Sequence, residues 1–275
     1  MKGGGTFYGE VGSFAGHNTV RNAGKPLGEA KAAQELAVHP LVVGAVELLL
    51  GPWCRRVVLG TCSAISVEPP PPGEEPAAPQ ILHRDEGMWA ATAWPWLPTS
   101  PSAGRPDFSV TVMWAAADFT KFNGATRFLP GSNSWSRNGG SYSGGAALPI
   151  GIQDGVHTVQ ATMPKGSVAL WSGGTLHGAG AHAVTADGGF AASVRHGLLF
   201  IYNLGWLRPE HNLHWAIPHG ILQSFSPKLS ELVGLYGENA VEHEWYTGPI
   251  YAQPYLGGSK GGTAGEGVQF KNKTG

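Results

Sequence analysis

Three residues of this chain have side chains of the types that bind a transition metal together. His83 and Asp85 form an H-x-D pair, and His177 lies far along the chain in the Gly-rich stretch H-G-A-G. Two imidazoles and one carboxylate suit Fe(II), Mn(II) or Zn(II), and as a facial set they hold Fe(II) with positions left open for a co-substrate and O2. If the three converge, the chain is an oxygenase. By itself, the H-x-D pair indicates only a hydrogen-bonded pair on a loop, because a chain with 11 histidines contains such a pair easily by chance.

Short strands and a few helices must position these residues. Residues 29–37 contain strong helix formers, Pro40 can begin a second helix that ends near Leu50, and Ser226 is a typical N-cap for a helix that starts at Pro227. Five segments are rich in β-branched or aromatic residues and are bounded by Gly, Pro or Asp, which predicts strands. They are residues 57–59, 64–67, 108–114, 168–171 and 197–202.

The composition limits the class of protein. The 42 glycines and 21 prolines are spread along the chain among many aromatic residues, which favours short strands joined by turns over disorder. A net charge of −1 with 13% charged residues argues against a nucleic-acid partner, which requires clustered Lys and Arg. We expect no membrane span and no secretory signal, because the long apolar runs that these require are missing. With only Cys54 and Cys62, a reduced cytoplasmic location is predicted.

Further motifs surround the three candidate ligands. Gln80 lies just before His83, and the stretch N-G-A-T-R-F-x-P-G-S runs from Asn123 to Ser132. Arg195 begins a run that ends in G-W-L-R-P. In this order and spacing the chain resembles the phytanoyl-CoA dioxygenase-like (PhyH) family of Fe(II)/2-oxoglutarate-dependent oxygenases, over residues 14–245.

The resemblance implies a fold and its limits. The expected fold is mainly β with flanking helices, a double-stranded β-helix of the jelly-roll or cupin-like kind. We assign residues 1–256 to this single domain and the Gly-rich residues 257–275 to a flexible tail. The chain begins late relative to the family, so its N-terminal part is either truncated or reduced. The interval between His177 and Arg195 is longer than usual, and residues 184–190 are expected to form an additional hairpin tip.

The resemblance also implies roles for individual residues. His83, Asp85 and His177 would bind Fe(II), and Arg195 would bind the distal carboxylate of 2-oxoglutarate, which suits a planar guanidinium. Gln80 and Thr126 would donate hydrogen bonds to this co-substrate. The implied reaction consumes O2 and 2-oxoglutarate, releases succinate and CO2, and hydroxylates or desaturates an unactivated C–H bond.

Several alternatives stay open in the sequence. His182 could replace His177 as the distal ligand. Trp89 either lines the substrate pocket or packs in the core, and Arg127 either contacts a ligand or forms an internal salt bridge. The low charge and many aromatic residues favour a small, largely apolar substrate. The alternative function is a cupin-like barrel that binds a small molecule without catalysis or uses another metal; no oligomeric state is predicted.

Overall fold

A computed structural model describes residues 19–71, 73–74, 78–86, 89, 106–135, 148, 151–183 and 193–235. Three of the predictions concern other residues. The N-terminal part before residue 19, the hairpin tip at residues 184–190 and the Gly-rich tail at residues 257–275 lie outside the described residues.

Two antiparallel sheets form the framework of the described residues. The larger sheet has five strands in the order β1-β2-β8-β3-β6, and the smaller sheet has three in the order β5-β4-β7. All five segments predicted as strands lie in strands of the larger sheet, with bounds that differ by a few residues and with two of the segments joined in one strand. The strands are β1 (Thr19–Ala23), β2 (Val57–Val67), β3 (Ser109–Ala115), β4 (Arg127–Phe128), β5 (Val159–Gln160), β6 (Val168–Ser172), β7 (His177–Gly178) and β8 (Arg195–Leu204).

The two strands predicted at residues 57–59 and 64–67 form one strand, β2, of 11 residues. The prediction of two strands was wrong because Gly60 resembles a strand terminator. Instead, the register with β8 shifts between Leu59 and Thr61. A Cβ atom on residue 60 would lie 2.1 Å from Asn203 Nδ2, so the glycine allows the Asn203 side chain to approach the backbone closely.

Six short α-helices accompany the sheets in the part of the chain that the structure describes. They are α1 (Pro26–Glu29), α2 (Lys31–Ala37), α3 (Pro40–Leu50), α4 (Leu213–Ala216), α5 (His219–Leu222) and α6 (Pro227–Leu232). As predicted, α3 starts at Pro40, and the Ser226 side chain caps α6 by accepting a 3.3 Å hydrogen bond from the Leu229 amide. Within the described residues no single helix is long and apolar enough to cross a membrane; Lys31–Ala37 and Pro40–Trp53 reach that length and composition only as a pair bent by 42°.

Strand alternation divides the larger sheet between two cores. On β3, Val110 and Val112 face the helices and join the same core as Val46 of α3. Met113 faces the other way and joins a second core together with Leu199 of β8. Because successive side chains of a strand point to opposite faces, this alternation fixes which residues of β3 and β8 face the interior between the sheets. The candidate site lies on that inner side.

Candidate metal centre

His83 and His177 lie directly opposite each other. The His83 amide donates to the His177 carbonyl at 2.9 Å, and the His177 amide donates to the His83 carbonyl at 3.0 Å. The two imidazole centroids are 4.5 Å apart. This exchange of backbone hydrogen bonds, between residues far apart in the sequence, places the first and the last predicted ligands side by side.

The Asp85 carboxylate completes the cluster. Its Oδ1 lies 3.6 Å from His83 Nε2 and its Oδ2 lies 3.4 Å from His177 Nε2. One potential ligand atom from each of the three residues falls within 4.8 Å of the others. All three side chains are at least 87% shielded from solvent, since their exposed fractions are 5%, 13% and 7%. The structure therefore brings together the three residues that the sequence singled out.

Backbone carbonyls orient both imidazoles. His83 Nδ1 lies 3.0 Å from the Ile81 carbonyl oxygen, and His177 Nδ1 lies 3.0 Å from the Thr175 carbonyl oxygen. A carbonyl oxygen only accepts, so each Nδ1 carries the proton and donates it. The neutral ring then has its lone pair on Nε2, the atom that faces Asp85. A second hydrogen bond of this kind is the usual way in which proteins orient a metal-binding histidine.

The charge of Asp85 is set by opposing effects. Burial would raise its pKa, but the imidazoles of His177 and His83 and the Thr111 hydroxyl lower it by more, so the pKa of Asp85 lies well below its usual range. Thr111 Oγ1 donates to Asp85 Oδ2 at 2.5 Å. The carboxylate is therefore ionised at neutral pH.

The donor set fits a divalent cation. Two imidazole Nε2 atoms and an ionised carboxylate converge across 3.4–3.6 Å. Positive charge must lie between these atoms, either as protons on the Nε2 atoms or as a metal ion that replaces those protons. Two imidazoles and one carboxylate with open positions are the donors that non-haem Fe(II) prefers. Of the His, Cys, Asp and Glu side chains in the described residues, this is the group close enough to hold a metal, and His182 is not part of it.

Arg195, at the start of β8, reaches the same cavity as the three candidate ligands. It is 3% exposed, and its Nη1 donates to Thr126 Oγ1 at 3.1 Å. Its guanidinium carbon lies 4.8 Å from the centroid of the Phe119 ring. Burial lowers the pKa of Arg195 to about 10, so the group stays protonated at neutral pH.

The positive charge of Arg195 has no negative partner in the described part of the chain. None of the ion pairs there involves Arg195, and its Nε has no hydrogen-bond partner there. A buried guanidinium without an anion is costly, so the charge of Arg195 requires a partner other than the described side chains. Thr126 Oγ1 accepts from Arg195, so its own hydroxyl proton remains available for donation.

Gln80 also lines this cavity, and its side chain is oriented by the backbone of residue 179. The Ala179 amide donates to Gln80 Oε1 at 2.9 Å. Because the acceptor end of the side-chain amide is thus occupied, the two N–H groups are the end left for a ligand. This is the polarity that a donor to a carboxylate or keto oxygen requires.

The apolar part of the cavity wall was not singled out from the sequence. It consists of Ile65, Met113, Trp171 and Leu199. The Trp171 ring also lies 5.0 Å from the His177 ring. Strand alternation gave a signal for Met113 and Leu199, which lie on inward-facing positions of predicted strands.

Trp89 and Arg127 are not among the residues that line the cavity. The Trp89 side chain packs against the core on the helix side of the larger sheet, because the chain turns after Asp85 and the Trp89 amide donates to the Glu86 carbonyl at 3.1 Å. Arg127 forms an ion pair with Asp154 through Nη1 and donates from Nη2 to the Gln80 carbonyl at 2.6 Å. For both residues the structure therefore supports the internal alternative over the predicted pocket position.

Comparison with known proteins places this chain in a family. Residues 11–186 match the sequence profile described as Phytanoyl-CoA dioxygenase (PhyH). The chain belongs to the PhyH family. The resemblance seen in the motifs is thus confirmed.

Two relatives of this PhyH-family chain are fungal proteins. Dioxygenase aneA of Aspergillus aculeatus is 28% identical over 225 residues, which cover 81% of this chain and 65% of that protein. Multifunctional dioxygenase ausE of Aspergillus calidoustus is 33% identical over 161 residues, which cover 58% of this chain and 49% of that protein. The matched part of the PhyH-family chain thus spans 49–65% of these relatives' lengths.

A solved structure shares the fold. The epimerase SnoN in complex with Fe3+, alpha ketoglutarate and nogalamycin RO superposes with a TM-score of 0.53 at 19% identity, over 76% of this chain and 72% of that chain. Together with the two antiparallel sheets, this similarity confirms the predicted double-stranded β-helix, mainly β with flanking helices.

Proposed function

We propose that this PhyH-family protein is an Fe(II)- and 2-oxoglutarate-dependent dioxygenase that hydroxylates or desaturates an unactivated C–H bond of a small, largely apolar molecule. One observation carries the proposal. A cluster of three metal-binding side chains lines one cavity together with a buried arginine that has no carboxylate partner among the described residues. The three metal-binding side chains suit a cation and the arginine suits an anionic ligand in the same cavity. A metal chelated by a dicarboxylate would satisfy both.

The side chains divide the binding work between them. His83, Asp85 and His177 would hold Fe(II), with the two Nδ1 hydrogen bonds keeping the rings in place. Arg195 would pair with the distal carboxylate of 2-oxoglutarate, with Gln80 and Thr126 donating to its other oxygens. When bound by these residues, Fe(II) and 2-oxoglutarate would supply the activation of O2, with release of succinate and CO2.

The apolar wall supports the substrate class. The side chains of Ile65, Met113 and Leu199 are apolar and line the cavity beside the candidate metal ligands, where they would limit access of water to the metal. A hydrocarbon portion of a substrate can lie against them without leaving polar groups unpaired. The crystallised SnoN complex contains nogalamycin RO, a small molecule, in a protein of the same fold.

The proposal is tested by anaerobic titration of apo-protein with Fe(II) and 2-oxoglutarate, while the visible charge-transfer absorption of the iron chelate is recorded. We expect the band in the parent protein and its loss in His177→Ala and Arg195→Ala. His196→Ala is the matched control, because this neighbouring histidine is exposed and pairs with Ser66 Oγ at 2.9 Å on the outer side of the sheet.

The absence of the band in correctly folded parent protein would refute the proposal and favour a barrel that uses another metal. A band without succinate formation from any substrate of the proposed class would favour a binding barrel. Retention of the band in both site variants would also contradict the assigned residues.

A further inference from the structure

Asp85 has few partners that fix its orientation. It lies in a turn two residues after His83, outside the strands of either sheet. His83 and His177 are each held by backbone hydrogen bonds and by their Nδ1 contacts. For the Asp85 carboxylate, the described residues provide one hydrogen-bond donor apart from the imidazoles, the hydroxyl of Thr111.

Thr111 is well placed to fix the orientation of a neighbouring side chain, because its own position is fixed. It occupies the middle of β3, a strand paired on both sides, opposite Trp171 of β6 and Ile201 of β8. Its side chain is fully buried. A β-branched residue has restricted rotation about χ1, so the hydroxyl position follows directly from the backbone of a central strand.

The contact has the geometry of a strong hydrogen bond. The distance of 2.5 Å between Thr111 Oγ1 and Asp85 Oδ2 lies at the short end expected for a hydroxyl that donates to a carboxylate. A carboxylate oxygen occupied in this way leaves the other oxygen, Oδ1, for a cation. The hydroxyl therefore selects one orientation of a side chain that would otherwise rotate.

We propose that Thr111 is a positioning residue of the metal centre, which orients the Asp85 carboxylate for metal binding through this hydrogen bond. The inference rests on the proposed function, since it concerns the same metal. It extends that function to a residue of β3 that is not itself a ligand. Partners of this kind typically affect metal affinity by about 10- to 100-fold when they are removed.

The test compares three variants with the parent protein. Thr111→Val removes the hydroxyl and keeps the branched shape, Thr111→Ala removes it without adding a methyl group against the carboxylate, and Thr111→Ser keeps the hydroxyl. The matched control is Thr61→Val. Thr61, on β2, is also buried and donates to a carboxylate, Glu210 Oε2 at 2.7 Å, but neither residue lines the metal cavity.

The measurement is the affinity of each folded apo-protein for Fe(II) alone under anaerobic conditions, followed by the charge-transfer spectrum after addition of 2-oxoglutarate. We expect Fe(II) binding about 10- to 100-fold weaker in Thr111→Val and Thr111→Ala, with a shifted band, and near-parent values in Thr111→Ser. The Thr61→Val control should bind Fe(II) like the parent.

The outcomes separate the two proposals. If the parent binds Fe(II) tightly and the Val and Ala variants bind it equally well, the positioning role is refuted while the proposed function stands. Equal loss in Thr111→Ser would also refute it, because the shape of the side chain and not its hydroxyl would then matter. Failure of the parent itself to bind Fe(II) would refute the proposed function.

Discussion

Arg195 offers a prediction whose size follows from its surroundings. In the described residues its guanidinium is paired with the Thr126 hydroxyl and the Phe119 ring but with no carboxylate. The carboxylate of 2-oxoglutarate would supply the missing charge. Replacement of Arg195 by Leu should therefore remove most of the stabilisation that 2-oxoglutarate gives, with little effect on the stability of the free protein.

The expected shift in melting temperature follows from the free energy of ligand binding. A ligand present at 100 times its dissociation constant stabilises the folded state by about 2.7 kcal/mol. In a protein of this size, each kcal/mol shifts the melting temperature by about 2–4 °C, so the parent should gain about 5–11 °C. Loss of one partner of a buried, hydrogen-bonded charge pair costs about 2–5 kcal/mol of binding energy. At the same ligand concentration, the Leu variant should then retain less than about 1 kcal/mol of stabilisation, or less than about 4 °C.

The assay is thermal unfolding with and without 2-oxoglutarate in the presence of Mn(II), which avoids turnover. Because burial disfavours the charged form of Arg195, the Leu variant without ligand should melt close to the parent. An unchanged shift with 2-oxoglutarate in Arg195→Leu would refute the co-substrate role. A large loss of stability in the ligand-free variant would show that Arg195 is a structural residue.

Three further predictions concern other parts of the chain. Asp85→Ala should abolish Fe(II)-dependent succinate formation; full activity in that variant would contradict the ligand assignment. Gly60→Ala should destabilise the fold by about 1–3 kcal/mol in urea unfolding, because the new Cβ would meet Asn203, whereas Gly44→Ala in α3, which has open space, should stabilise it by about 0.5–1 kcal/mol. Burial raises the pKa of Cys62 to about 12, so the thiol stays protonated when folded but ionises near pH 8.5 when unfolded. Stability from this group is therefore fully present below about pH 8.5 and decreases by about 1.4 kcal/mol per pH unit up to about pH 12. In unfolding titrations between pH 8 and 10, below the ordinary pKa of tyrosine, Cys62→Ala should lose stability less steeply than the parent.

The sequence predicted the parts of the site that depend on residue type and on motif order. His83, Asp85 and His177 have side chains that few functions other than metal binding require together. The start of α3 at Pro40 and the cap at Ser226 were also predictable, because both depend on local backbone chemistry.

Contacts that depend on the tertiary fold were not predictable. The hydrogen bond from Thr111 to Asp85 joins a strand residue to a turn 26 positions away, and a threonine in a strand is ordinary in itself. Trp89 follows Asp85 closely in the sequence, yet the turn at Glu86 directs its ring to the core beside the helices. Closeness in the sequence therefore did not determine which face of the sheet a side chain meets.

Two arginines of the family motifs differ in how the structure compensates their positive charge, and this difference separates their roles. Arg127 and Arg195 are both buried and both lie close to residues of the candidate site. The chain itself supplies an anion for Arg127, the carboxylate of Asp154, and the guanidinium also holds the Gln80 carbonyl in place. Around Arg195 the described residues supply a hydroxyl and an aromatic ring instead. Since a buried positive charge requires compensation, the fold explains Arg127 through Asp154, whereas the described residues leave Arg195 without a carboxylate, as expected if the proposed co-substrate binds beside it.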